Sequence, residues 1–120
     1  MSPLIAIWLV RLVALAQALI AVVEIFLWNH PKVHSRLQFT DAEAKKVAAI
    51  VANAGLYNAF LAAGLIWGLT TTASGREIEM FFLSCVGIAG LFGAITLKPT
   101  TLLLQTLPAA LALGALWITK

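Results

Sequence analysis

Four long apolar stretches, residues 9–28, 47–69, 81–97 and 102–118, take up most of this 120-residue chain. Each comes close to the roughly 17–25 residues a helix needs to cross a bilayer. The polar residues between them are too few to build a separate soluble domain. The composition agrees: 62% of residues are hydrophobic and 11% charged, against roughly 45–50% and about 25% in soluble domains. The expected fold is all-α and membrane-embedded. Residues 1–120 should form one domain, a four-helix antiparallel transmembrane bundle in the lipid bilayer.

Trp8 and Trp28 bracket the first stretch. At ~1.5 Å per residue they stand ~30 Å apart, the thickness of a hydrocarbon core with an aromatic belt at each edge. Its apolar run is longer than the roughly 7–15 residues of a signal-peptide core, and no small-x-small cleavage site follows it. Inside this stretch lies Glu24. A carboxyl within a membrane span is costly without a partner and marks a functional site by default.

Charge sets the expected orientation. With four spans, the first and third loops share one side, and they hold Lys32, Arg36, Lys45, Lys46 and Lys98; the other side holds Arg76 and Lys120. Five against two places those loops in the cytoplasm and both termini outside, in a multi-pass protein of the bacterial inner membrane. The net charge of +3 is explained by this loop bias, and nucleic-acid binding is not expected.

Loop one is the long connection. Asn29-His30-Pro31 should end the first helix, because proline disfavours helical geometry in the residue before it. Thr40 followed by Glu43 fits a capping box, so the second helix should start near Asp41 and be the longest. His30 and His34 are too few to hold a metal and are expected to face solvent or headgroups. Ser74-Gly75 should separate the second and third helices, and Lys98-Pro99-Thr100 should turn the third into the fourth. Gly64 and Gly68 on the second helix, and Gly87, Gly90 and Gly93 on the third, allow close backbone approach. Packing within one bundle is the preferred use of this spacing, and a homodimer interface is the sharper one.

Several polar side chains interrupt the apolar stretches: Gln17 and Glu24 on the first, Asn53, Tyr57 and Asn58 on the second, Thr96 on the third and Gln105 on the fourth. Counted from the cytoplasmic edge, Glu24, Asn53 and Gln105 fall at similar depths of ~6–10 Å, while Gln17, Tyr57 and Asn58 fall near the midplane. Unsatisfied polar groups in hydrocarbon are costly, so these groups are expected to face one another inside the bundle. Glu24 should reach Asn53, Gln105 or Thr96, with Lys46 or Lys98 near enough to balance its charge. The expected ligand-binding set is Glu24, Gln17, Asn53, Tyr57, Asn58 and Gln105. Cys85 stands alone, and no metal, cofactor, nucleophilic-catalysis or phosphate-loop motif is present.

Glu24-Ile25-Phe26-Leu27-Trp28 resembles an E-[MI]-F-L-W helix end. The run from Ala52 through Asn53, Gly55, Leu56, Tyr57, Asn58, Phe60 and Leu61 to Gly64 resembles an A-N-Q-G-L-Y-N-x-F-L-A-A-G signature. With Gly90, Gly93, Thr96, Gln105 and Pro108, these residues resemble the small membrane proteins of domain of unknown function 1304. The chain departs from that pattern at Ala54, where glutamine is usual, and at Gln17, where histidine is common. The resemblance implies a four-helix membrane protein and carries no activity.

Three functions remain open at the level of sequence. The first is a small-molecule binding or transport module, in which Glu24 takes a proton or a cationic or polar ligand. The second is an intramembrane acid–base enzyme acting on a lipid-like substrate, with Tyr57 as partner of the one buried carboxyl. The third is a structural or assembly subunit.

Overall fold

The computed structural model describes residues 3–97, 100 and 102–119. Those residues are helical throughout the apolar stretches, and no strand occurs among them. The elements are α1 (Pro3–Val22), extended by a π-helical turn (Val23–Leu27), then α2 (Pro31–His34), α3 (Asp41–Thr70), α4 (Gly75–Thr96), a second π-helical turn (Leu102–Thr106) and α5 (Leu107–Ile118). Three helices are long and apolar enough to cross a membrane: Pro3–Leu27, Asp41–Thr70 and Gly75–Thr96. The fourth apolar helix, Leu102–Ile118, is shorter. The turn expected at Lys98-Pro99 lies outside the described residues.

The chain divides into two compact units, Met1–Gln17 with Leu61–Lys120, and Ala18–Phe60. In the first, helical periodicity selects the core: Ala6, Val10, Val13 and Ala14 from α1, Leu65 from α3, Leu83 and Val86 from α4, and Ala109, Ala112, Ala115 and Leu116 from α5. Spacings of three and four put each set on one helix face. Glycine sets how closely these helices meet. The space beside Gly64 is filled by the Phe82 ring, and a side chain on Gly68 would come within 2.6 Å of Glu79 Cγ. The small residues thus serve packing within the chain. The Arg76 guanidinium donates from Nε and Nη2 to the Leu116 carbonyl, at 3.3 and 2.9 Å. A cation on carbonyls of a helix's last turn is favoured by the helix dipole, so this contact ties the start of α4 to the end of α5.

Size is distributed inside out. The core is rich in alanine, while Leu12, Leu19, Phe81, Ile88, Phe92, Ile95 and Trp117 are each more than half exposed. Water would penalise so much exposed apolar surface, and lipid would not.

The second unit is organised around Trp28. Its indole Nε1 donates to the Ala44 carbonyl at 3.0 Å, and its ring meets Phe39 edge-on at 5.3 Å. The capping box forms as expected: Glu43 N donates to Thr40 Oγ1 at 3.2 Å, and Thr40 N to Glu43 Oε1 at 2.9 Å. It starts α3 at Asp41, and at 30 residues α3 is the longest helix described. Pro31 opens the short α2 instead of merely ending α1, and His30 Nδ1 caps it by accepting from Lys32 N at 3.1 Å.

His34 departs from expectation. It is 3% exposed, turned away from solvent and locked between two acceptors. Nδ1 is 2.8 Å from the Trp28 carbonyl, and Nε2 is 2.7 Å from Asp41 Oδ1. A carbonyl and a carboxylate both require N–H donors, and only the imidazolium has two. The Asp41 hydrogen bond, then the Trp28 carbonyl, push the His34 pKa above its usual value; desolvation opposes them, and the Asp41 charge adds a smaller upward push.

Candidate functional site

Glu24 lies in the π-helical turn that closes the first apolar helix. Such turns are rare and often fall at functional positions. α3 approaches it through Gly55: a Cβ at Gly55 would lie 2.8 Å from Ile25 Cγ1, 2.9 Å from Glu24 Cβ and 3.2 Å from the Ala21 carbonyl. Because any side chain there would force a shift, Gly55 favours this rotation and register of α3 against the segment.

Asn58, one turn beyond Gly55, is the amide that meets the carboxyl. Its Nδ2 donates to Glu24 Oε1 at 2.6 Å. Asn53 is not the partner: five residues before Asn58, it lies about 140° around the helix at ~100° per residue, and it is exposed. Thr96 is exposed too, and its hydroxyl donates to its own helix at the Phe92 carbonyl, 2.8 Å away. The depth count placed Asn53 beside Glu24 by measuring from residue 47. The Gly55 contact runs the pairing roughly one and a half turns further along α3. No lysine or arginine pairs with Glu24 among the described residues, Lys46 included; Lys98 lies outside them. Glu24 Oε2 has no hydrogen-bond partner among the described residues.

Tyr57 shares the outward face with Asn53. It is 59% exposed, with its ring edge-on to Phe60 at 6.0 Å. The expectation that Asn53 and Tyr57 turn into the bundle is therefore overturned, and of Asn53, Tyr57 and Asn58 only Asn58 turns inward to the carboxyl.

The two glutamines belong to the other unit. Gln17 is fully buried on the core face of α1, and neither its Oε1 nor its Nε2 has a hydrogen-bond partner among the described residues. Gln105 is half-buried in the second π-helical turn, where a Cβ at Gly90 would come within 2.8 Å of Gln105 Cβ. The next residue, Thr106, donates from Oγ1 to the Gly87 carbonyl at 2.9 Å. Pro108 follows and cannot donate to the carbonyl four residues before it, which suits a break from regular α-geometry here. Glu24 and Gln105 thus occupy the same local arrangement, each on a π-helical turn closed against a glycine of the neighbouring helix.

Glu79, and not the half-buried Glu24, is the carboxyl that lies in the core. Glu79 is 8% exposed on the core face of α4, packed against Gly68, and forms no hydrogen bond among the described residues. The apolar run begins at Phe81, so Glu79 reads as loop. Yet α4 starts at Gly75, and the buried series Gly75, Glu79, Leu83, Val86, Gly90 is helical in period. That spacing was the available signal.

No group of three or more histidine, cysteine, aspartate or glutamate side chains could hold a metal among the described residues. Glu24 lines neither of two surface clefts. One runs along α1 past Trp8 and Arg11; the other, of about 400 Å³, is lined by Asn29, His34, Asp41 and Lys45.

Fold and site together define a small all-helical protein with apolar helices long enough to span a membrane and a carboxyl–amide pair between two of them. The chain belongs to the family described as protein of unknown function DUF1304, whose profile matches residues 11–117. No curated protein and no solved structure matches it.

Proposed function

We propose that this protein is an integral membrane protein of four antiparallel transmembrane helices, with both termini outside. In this reading it binds or transports a cationic small molecule in exchange for a proton at Glu24. The observation that carries the reading is the Asn58–Glu24 hydrogen bond of 2.6 Å between two apolar helices. The amide orients one carboxyl oxygen and leaves Oε2 to meet a ligand. A carboxyl held this way inside a span serves binding better than glue, since an amide would glue at lower cost.

The enzyme reading is weaker because Tyr57 faces outward, away from the carboxyl it would have to assist. Binding of a lipophilic cation such as tetraphenylphosphonium to the purified protein, followed together with proton release, tests the proposal. Release of protons on binding by the wild type, and loss of both signals in Glu24→Gln, is the expected result. Equal binding by Glu24→Gln, or binding without proton release, would overturn it and leave an assembly role.

A further inference from the structure

Glu79, one turn into α4, is a buried carboxyl with no assigned role. It is 8% exposed, in line with Gly75, Leu83 and Val86 on the buried face of its helix. The last turn of α3 lies against it: a Cβ at Gly68 would stand 2.6 Å from Glu79 Cγ and 3.0 Å from its backbone nitrogen. A Cβ at Gly75 would stand 2.6 Å from the Gly68 carbonyl oxygen and 3.8 Å from Glu79 Oε2, so both oxygens border the space beside Gly75. Neither has a donor among the described residues. α3 ends at Thr70, so no helical N–H reaches the Gly68 carbonyl, and Thr71 N donates to Trp67 instead, at 3.0 Å. Arg76 is held by the Leu116 carbonyl and forms no ion pair with Glu79. Elsewhere in this unit, α3 from Leu61 onward and α5 carry no charged residue, and α1 up to Gln17 carries only Arg11, which lies over the Trp8 ring. Glu77, exposed on α4, adds only a further negative charge.

Two buried acceptors thus meet with no donor between them, at the negative end of the α3 dipole. An ionised carboxyl offers acceptors only, whereas a protonated one brings an O–H and no charge. A bare charge in such a place costs far more than a neutral acid. We propose that this corner is a proton-binding site, in which Glu79 holds a proton at neutral pH and its ionisation undoes the tie between α4 and α5. Arg76 makes the link. It precedes Glu79 by three residues, a spacing at which side chains on a helix can meet. Once the proton passes to water, the carboxylate is a stronger acceptor for the guanidinium than the neutral Leu116 carbonyl. Arg76 then has two alternative partners, and the proton on Glu79 decides between them. Gly68, Gly75, Arg76, Glu79 and Leu116 all lie in one compact unit, and the inference is independent of any ligand at Glu24.

Infrared spectroscopy of the full chain in micelles at neutral pH tests the site. The wild type should show the C=O stretch of a protonated carboxyl, shifted in heavy water. Glu79→Gln should lose that component and Glu24→Gln should leave it in place. Hydrogen exchange tests the tie. As pH rises, the amides of Leu116–Thr119 should exchange roughly tenfold faster than the intrinsic pH dependence requires, the effect of losing a hydrogen bond to a charged donor. In Glu79→Gln they should show no such excess. If Glu79→Gln does not fold, Glu79→Leu, which cannot ionise either, takes its place in both measurements. A protonated-carboxyl band unchanged by Glu79→Gln would overturn the proton site. An excess of the same size in Glu79→Gln would overturn the link through Arg76.

Discussion

Asn58 Nδ2 donates to Glu24 Oε1 at 2.6 Å, across 34 residues of sequence. This contact joins the π-helical turn after α1 to α3. Removing the amide leaves a carboxyl between apolar helices with no donor. Asn58→Leu should lower stability by about 0.6–2 kcal/mol, the range of interhelical hydrogen bonds in membranes. Asn53→Leu, on the opposite face, should leave the stability of the single chain within ~0.5 kcal/mol. Unfolding in mixed micelles measures both, and equal losses would refute the assignment of Asn58 as the partner.

Gly55 brings the two segments into close contact. A methyl group there would sit 2.8 Å from Ile25 Cγ1 and 2.9 Å from Glu24 Cβ, so the helices must separate. Gly55→Ala should cost about 1–3 kcal/mol. Gly114 supplies the control, since a Cβ there meets nothing within 4 Å. Gly114→Ala should be neutral or add about 0.5–1 kcal/mol through helix propensity. Denaturation of the two variants side by side checks the contrast.

His34 makes loop one sensitive to pH. Its folded pKa is raised, first by the Asp41 hydrogen bond and then by the Trp28 carbonyl. Its contribution to stability is therefore complete below the unfolded value of about 6.5, and it fades as pH climbs through the higher folded value. Asp41 and Lys45 are the charged groups lining the same cleft. Hydrogen exchange of the Trp28 indole N–H, which is bonded to Ala44, should accelerate across that window. Asp41→Asn removes the principal cause and should move the acceleration to lower pH. An exchange rate as flat as that of His34→Gln would count against the doubly bonded imidazolium.

Glu79 carries a different expectation. Its carboxyl is buried beside Gly68 with no hydrogen bond among the described residues. Burying a polar group without a partner costs about 1–3 kcal/mol. Glu79→Leu should therefore stabilise the protein by an amount in that range. A loss of stability in the same unfolding measurement would mean that the carboxyl is satisfied by a group from outside the chain.

Much of this was legible because it depends on residues close in sequence. The capping box at Thr40 and Glu43 is an i, i+3 pattern that any chain can form locally, and it was readable as such. The apolar helices follow from hydropathy alone. Glu79 was equally legible in principle, since its place in the buried series of α4 is a matter of period; the apolar run from Phe81 hid it. His34 was not legible, because the Trp28 carbonyl and Asp41 converge on it only once α2 has turned between them.

By itself, the sequence determined an all-helical chain with apolar helices of membrane-spanning length, the capped start of α3, and the presence of a carboxyl and several amides within those helices. Only the tertiary structure decided which amide meets the carboxyl. Asn53 and Asn58 are the same residue type on the same helix, and hydropathy and depth do not separate them. What separates them is the rotation and register of α3 against the turn that holds Glu24. Gly55 permits that rotation and register, because it has no side chain to keep Glu24 and Ile25 away.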